Sequence, residues 1–458
     1  MAYALAYVIF FLYLCALFVR MTKKKILILQ EDLFAIPDAN AKLVFRIAMQ
    51  LQEIGYDVSV LGIANKEAEQ VEKYRGIRLI HEPDYKAKEV RHLKERLGRF
   101  HWLRYILRPR SIWYRINNDR YTPFSLETRS WLRKHTHEYD ALIACCSPYY
   151  PLALAAEVAD RIPVIYYKID PVGSWGDKSN GDAALSTIEN EIKWDNVAAR
   201  IIMPDVVYRD YMRLPTKVNG HKTTVAQFPN VRPIVPHQQR SKIVVSFEKD
   251  KINLLFVGKF YAEIRHPQYL FDLMEQLRDT PIVLHIVGPL NYMGFDQAYI
   301  DRYFTNKIPN IQFHGAVPPT EADDILLYAD GLVHLGNSVD TAMPSKILDY
   351  ISSGKPILNI CKIPTCPTLP LMERYPIGLT IYERSDVSDQ YSVVSCRSSV
   401  ISEEIVEQVK EFCITNKGKQ IPYEQIERLY PECTIEYVGN QFEETIQAAI
   451  NEFKTNKI

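Results

Sequence analysis

KILILQ (Lys25–Gln30), NAKLVFRIAMQLQEIG (Asn40–Gly55) and YDVSVLGI (Tyr56–Ile63) decide the fold. The first is a short apolar run without alternation, the pattern of a strand buried on both faces. The second carries apolar residues at helical spacing and closes on Gly55, a residue suited to a helix C-terminus. The third is again a strand. Strand, helix and strand joined by short loops build a parallel sheet covered by helices. The alternation continues through IRLIHEP (Ile77–Pro83), YDALIACCSP (Tyr139–Pro148), a helix in LALAAEVADR (Leu152–Arg161), and PVIYYKID (Pro163–Asp170).

The rhythm restarts after the polar, proline-containing stretch PNVRPIVPHQQRSK (Pro229–Lys242). NLLFVGKF (Asn253–Phe260) is a buried strand with Gly258 at its end. VLHIVGP (Val283–Pro289), IQFHGAV (Ile311–Val317), DGLVHLGN (Asp330–Asn337) and PILNIC (Pro356–Cys361) follow it. At 458 residues the chain is too long for one core. The expected fold class is therefore α/β, two doubly wound Rossmann-like domains facing across a cleft. Ligands of such sheets bind at the C-terminal ends of the strands, so the cleft is the expected active site. The expected divisions are a hydrophobic segment at 1–20, an acceptor domain at 21–235, a donor domain at 236–425 and surface helices at 426–458. Residues 385–402 are serine-rich and read as a looser loop.

Lys plus Arg equals Asp plus Glu at 55 each, so nothing in the overall charge calls for nucleic acid. The eight cysteines show no CxxC spacing, and Cys145 and Cys146 sit in an apolar run, where a thiol behaves as a small hydrophobe. A reduced, cytoplasmic setting and no zinc site are expected. Ala2–Phe18 is uncharged and apolar, with Arg20 and Lys23–Lys25 after it. Two readings stand: a short membrane anchor with the body on the cytoplasmic side, or an upstream extension of a protein that starts at Met21. Between residues 86 and 120, Lys and Arg alternate with Phe100, Trp102, Tyr105, Trp113 and Tyr114. That pattern suits a face docked on an anionic membrane surface, or a solvated helix with some core aromatics.

TAMPSKILDYISSGKPILNI (Thr341–Ile360) carries the chemistry. Pro344 suits the first turn of a helix, and Gly354 closes that helix before the next strand. A helix N-terminus attracts anions, and Lys346 adds a full charge to the same end. Asp349, one turn further on, is within reach of a ribose hydroxyl, or it pairs with Lys346 and does nothing else.

The segment resembles the group 1 (family 4) retaining glycosyltransferases. Their donor domain carries Pro-Ser-Lys, two aliphatics, an acid and Tyr, and ends in Gly-Lys-Pro. Here these are Pro344, Ser345, Lys346, Ile347, Leu348, Asp349, Tyr350, Gly354, Lys355 and Pro356. FVGKFYAEIRHPQYL (Phe256–Leu270) is similar to the family's diphosphate-gripping element, with Gly258, Lys259 and Arg265 at its glycine and basic positions. The resemblance implies a nucleotide pocket at Gly288 and Val317, at the ends of the HIVGP and FHGAV strands. It also implies polar cleft residues at the position of Asp170 and Trp175. The sequence departs from the family at Thr341, where a Glu is usual, and at PDANAK (Pro37–Lys42), which replaces a glycine pair. Asp38, Asn40 and Asp170 also suit turns. His285, His314 and His334 lie in strands and read as packed.

The resemblance implies transfer of a sugar from a nucleotide-sugar donor to a glycan or lipid-linked acceptor, with no cofactor, no metal and retained anomeric configuration. Arg265 and Lys346 stabilise the departing diphosphate, and Asp170 acts from the acceptor domain. The alternatives are a non-catalytic scaffold of the same fold, which Thr341 keeps alive, and a nucleotide-sugar 2-epimerase, which needs cleft carboxylates not found here.

Overall fold

A computed structural model describes residues 23–30, 39–64, 73–74, 76–83, 123–146, 149–170, 187–213, 222–236, 245–289, 295–305, 308–317, 319–383 and 401–456. The apolar run at 1–20, the basic aromatic segment at 86–120, Asp38, Trp175 and nearly all of the serine-rich stretch lie outside the described residues. The chain forms two compact units: Met1–Gln227 with Val438–Ile458, and Phe228–Tyr437. The packing thus divides at Gln227 and Tyr437, where the sequence reading drew its lines at 235 and 425.

Unit 1 is built on β1 (Lys25–Leu29), β2 (Asp57–Ala64), β3 (Lys73–Tyr74), β4 (Ile77–Pro83), β5 (Ala141–Cys146), β6 (Val164–Lys168), β7 (Arg200–Met203) and β8 (Thr223–Val225). They lie in the order β3-β4-β2-β1-β5-β6-β7-β8, parallel except for the short β3–β4 pair. The described side chains of β1 and β5 are almost wholly buried, as their unbroken apolar runs require. Helix Ala39–Ile54 returns the chain from β1 to β2, its Leu43, Val44, Ile47, Ala48 and Leu51 buried on one stripe. Strand order reverses between β1 and β5, which makes that point of the C-terminal edge a crevice.

Unit 2 is built on β9 (Ile252–Val257), β10 (Ile282–Val287), β11 (Ile311–Gly315), β12 (Gly331–Leu335), β13 (Ile357–Cys361) and β14 (Gly378–Tyr382). The order β11-β10-β9-β12-β13-β14 is that of a dinucleotide-type doubly wound sheet. All five pairings are parallel. Phe260, Phe271, Tyr299, Tyr303 and Phe304 fill the space beside β9, β10 and β11. The reversal falls between β9 and β12.

One expectation is corrected. The C-terminal region reads as surface helices, but helix Ile435–Thr455 buries Val438, Phe442, Ile446, Ala449 and Ile450 along one face. Phe442 meets the Tyr167 ring edge-on at 5.0 Å. Gln441 donates to the Val225 carbonyl at 3.1 Å, and the Thr445 and Thr224 hydroxyls lie 2.8 Å apart. From Val438 onward the helix is part of the unit 1 core. Phe442→Ala should therefore cost about 3–5 kcal/mol, as a fully buried phenylalanine does. Urea unfolding monitored by circular dichroism measures this; a loss below about 1 kcal/mol, as expected of a surface residue, would refute the assignment.

Candidate functional site

The strand ends of unit 2 are stitched together by backbone. Gly258, after β9, donates its N–H to the Val287 carbonyl at 2.9 Å; Gly288, after β10, donates to the Gly315 carbonyl at 2.8 Å. The two glycine loops are so close that a Cβ on Gly288 would lie 1.9 Å from the Gly258 carbonyl oxygen. Only glycine fits at 288, and its backbone has φ +155°. The ends of three neighbouring strands are thereby joined through main chain. Val317 stands half-buried two residues beyond β11, and the Lys259 side chain is exposed.

Arg265 is placed by the loop after β9. Tyr261 and Arg265 exchange backbone hydrogen bonds of 3.2 and 2.9 Å, closing a five-residue turn. That turn is tied to the end of β12, because Ser338 donates its N–H to the Ile264 carbonyl at 2.8 Å. The guanidinium Nε donates to Asn337 Oδ1 at 3.0 Å, and its carbon lies 5.6 Å from the centre of the Tyr261 ring. Among the described residues no carboxylate pairs with it. Withdrawal from water pushes its pKa below the ordinary guanidinium value. Arg265 is thus a partly desolvated cation to which no described residue supplies a counter-charge, at the point where the strand order reverses.

Asn337 is the residue that the sequence reading missed. It is buried, and while its oxygen holds Arg265 its amide donates to the Ala342 carbonyl at 2.9 Å. It thereby joins Arg265 to the segment leading into the Pro344-Ser345-Lys346 motif. The only local signal is an amide at a strand end; its partner is 72 positions away in sequence.

The regular helix starts later than expected. It spans Lys346–Ser353 with Ser345 as N-cap, so Pro344 precedes the cap rather than lying in the first turn. The Pro344 and Ser345 carbonyls take the Ile347 and Leu348 N–H groups at 3.2 and 3.1 Å. A tightened first turn of this kind satisfies donors that an open helix end would leave free. Lys346 and Asp349 form an ion pair at 3.1 Å, the structural alternative that their spacing allows. Tyr350 anchors the helix: its hydroxyl accepts from the Val257 N–H at 2.8 Å and donates to the Val257 carbonyl at 3.3 Å. The end of β9, and with it Gly258, is therefore fixed relative to Lys346. Gly354 closes the helix with φ +68°, and a Cβ there would lie 2.1 Å from the Ile421 carbonyl oxygen.

The structure gathers Gly258, Gly288, Arg265, Pro344, Ser345, Lys346 and Asp349 in unit 2 around these contacts. Asp170 belongs to unit 1, just beyond β6. Its carboxylate accepts from the Asn40 amide at 2.9 Å. Desolvation holds its pKa above the ordinary carboxylate value, with the Asn40 hydrogen bond opposing the shift. Asn40 opens the helix after β1, so the pair forms at the C-terminal edge of the unit 1 sheet. The neighbouring strand β5 ends in Cys146, whose thiol burial pushes up to about 12.

No known protein-family profile matches the sequence, and no curated protein is similar to it in sequence. Solved structures are similar in fold. HepE of Anabaena, in complex with UDP and glucose, superposes with a TM-score of 0.59 over 93% of this chain and 99% of its own, at 13% identity. A glycosyltransferase from Rickettsia africae gives 0.58 over 94% and 99%, at 10% identity. WaaG, a glycosyltransferase involved in lipopolysaccharide biosynthesis, gives 0.54 over 92% and 99%, at 12% identity. The chain has the fold of these proteins, with a Rossmann-like sheet in each of its two units.

The histidines of unit 2 are packed. His334 is buried with Nδ1 2.8 Å from Asn359 Oδ1, and His285 lies between Asn253 and His314 at 3.0 Å from each. Burial lowers His334 to about 3, and His285 and His266 to about 4. The folded state therefore holds them neutral, while the unfolded chain takes up protons near pH 6.5. Their contribution to stability is full above that pH and is lost as pH falls toward 4. Thermal midpoints in non-coordinating buffers should decline from pH 6.5 to 4.5. In the folded protein, ring resonances of these three histidines should not titrate above pH 5; a midpoint near 6.5 for His334 would contradict the packing.

Proposed function

We propose that this chain is a glycosyltransferase whose nucleoside-diphosphate sugar binds at the strand ends of unit 2. The observation that carries the reading is Arg265: a partly desolvated guanidinium without a carboxylate partner among the described residues, aimed by Asn337 at the strand-order reversal. A diphosphate supplies the missing charge. HepE has been solved with UDP-glucose on a similar fold, which supports a donor of that class. The resemblance of Pro344–Tyr350 to the group 1 motif supports the same placement.

The chemistry follows from the leaving group. As the anomeric carbon becomes cationic, negative charge grows on the departing diphosphate. Groups already positioned there lower the barrier without reorganising. In this reading Arg265 and Lys346 receive that charge, with Lys259 at the rim. The main chain of Gly258 and Gly288 permits close approach, and Ser345 caps the helix facing the phosphates. Asp349 exchanges its bond to Lys346 for a ribose hydroxyl, and Val317 borders the base. Such an array makes a divalent ion dispensable. Asp170, held by Asn40 in unit 1, is the proposed contact for the acceptor. Retention of configuration, a lipid-linked acceptor and docking on the cytoplasmic face of a membrane belong to the same proposal. They rest on the family resemblance and on the sequences of 1–20 and 86–120. Among the described residues no helix is long and apolar enough to cross a membrane.

A panel of UDP, GDP, ADP and CMP tests the reading by thermal shift. A ligand at a hundred times its dissociation constant adds about 2.7 kcal/mol of stability. One nucleoside diphosphate should shift the midpoint equally with and without EDTA, and Arg265→Ala should abolish the shift. In turnover, Arg265→Ala or Lys346→Ala should each lower the rate by about a hundredfold or more. No shift with any nucleotide would leave the non-catalytic scaffold as the better account.

A further inference from the structure

The guanidinium of Arg265 has two edges on which an anion can sit, and the structure closes one of them. Its N–H groups are one on Nε and two on each Nη. Two oxygens of a phosphate are taken side-on, by Nε and one Nη, or end-on, by the two Nη nitrogens. Here Nε already donates to Asn337 Oδ1 at 3.0 Å, while the Nη nitrogens donate to no described residue. The end of the fork is what remains for a ligand.

Asn337 holds that arrangement with both halves of its amide. The oxygen accepts from Arg265, and Nδ2 donates to the Ala342 carbonyl at 2.9 Å. Turned over, the amide would set its NH2 against the Arg265 Nε–H and its oxygen against the Ala342 carbonyl, so its two partners fix its orientation. The side chain is 3% exposed, which leaves little water to replace either bond. The loop that carries Arg265 is held separately by the Tyr261–Arg265 backbone pair and by the Ser338 N–H on the Ile264 carbonyl at 2.8 Å.

A carboxylate is the ordinary partner of an arginine withdrawn from water. An amide oxygen accepts the same hydrogen bond without cancelling the charge. Aspartate at 337 would cancel it, and its second oxygen would face the Ala342 carbonyl with no proton between them. The amide therefore aims the guanidinium and leaves its charge unspent.

We infer that Asn337 is the positioning residue that commits Arg265 to end-on binding of a phosphate group, and that its neutrality reserves the guanidinium charge for that ligand. The inference rests on the donor reading above and adds the recognition mode to it. Two oxygens on one phosphorus meet Nη1 and Nη2 while Nε stays with Asn337, which acts through Arg265 rather than on the ligand. Lysine at 265 would offer neither the Nε–H that Asn337 holds nor a fork.

The test compares Asn337→Ala with Asn337→Asp by calorimetric titration. The ligands are whichever of UDP, GDP and ADP stabilises the native protein, its monophosphate and its nucleoside. Alanine removes both hydrogen bonds and adds no charge; aspartate keeps an acceptor for Nε and adds one negative charge. If Asn337 only held the fold together, aspartate would bind the diphosphate at least as well as alanine. The reverse is expected: diphosphate affinity on the order of tenfold lower for aspartate than for alanine, a smaller gap for the monophosphate and none for the nucleoside. Diphosphate affinity as high in the aspartate variant, or an equal gap for the nucleoside, would overturn the inference alone. Failure of the native protein to bind any of the three diphosphates would overturn the donor reading, and this inference with it. A second measurement needs no variant at 337, so a folding defect there leaves it decisive. In native protein carrying isotope-labelled arginine, the Arg265 Nε–H resonance, assigned by its loss in Arg265→Lys, should stay protected from solvent exchange with and without the diphosphate. An unprotected Nε–H in the free protein, or one whose protection changes markedly when the diphosphate binds, would overturn end-on binding.

Discussion

An arginine drawn partly out of water, with an amide oxygen as its bonded partner, is the contact on which the organisation of unit 2 turns. Desolvating a cation costs free energy unless charge and hydrogen bonds compensate. The described residues supply Asn337 Oδ1 and the Tyr261 ring to Arg265 but no carboxylate. The surrounding contacts hold that incomplete arrangement in place. Ser338 pins the Arg265 turn to the end of β12, Asn337 ties it to Ala342, and Tyr350 ties the helix of the next motif to the end of β9. Four strand ends and one helix are thereby tied together around Arg265, for which no described carboxylate supplies a counter-charge.

The close approach of Gly288 to Gly258 serves the same end by different means. It excludes a side chain at Gly288 and lets the ends of β9, β10 and β11 meet through main chain. The buried polar network beneath, from His334 through Asn359 to Cys361, gives the floor of the site fixed hydrogen bonds rather than loose packing.

Much of this is legible in the sequence, because strands buried on both faces write themselves as unbroken apolar runs. KILILQ, ALIACC and NLLFVG admit no other reading in a chain of this pattern. RIIM (Arg200–Met203) and GLTIY (Gly378–Tyr382) escape it: one has only four residues, and the other is an edge strand whose side chains are mostly half-buried. The C-terminal helix shows its stripe of apolar residues, but nothing local says that a sheet far upstream in the chain receives it. Lys346 and Asp349 are readable as a pair. Whether a pair binds a ligand or closes on itself depends on what else fills the space, and here they meet each other. Asn337 could not be read at all, since its meaning comes from Arg265 on another loop. Local pattern fixes the elements; contacts between distant loops fix the site.

Hydrogen–deuterium exchange with and without saturating nucleoside diphosphate tests the central claim most directly, because it reports on each loop separately. Protection should rise in Gly258–Arg265 and in Asn337–Lys346, with little change in the β13–β14 half of the same unit. Unchanged exchange in both loops, with the ligand demonstrably bound, would contradict the placement of the donor at Arg265.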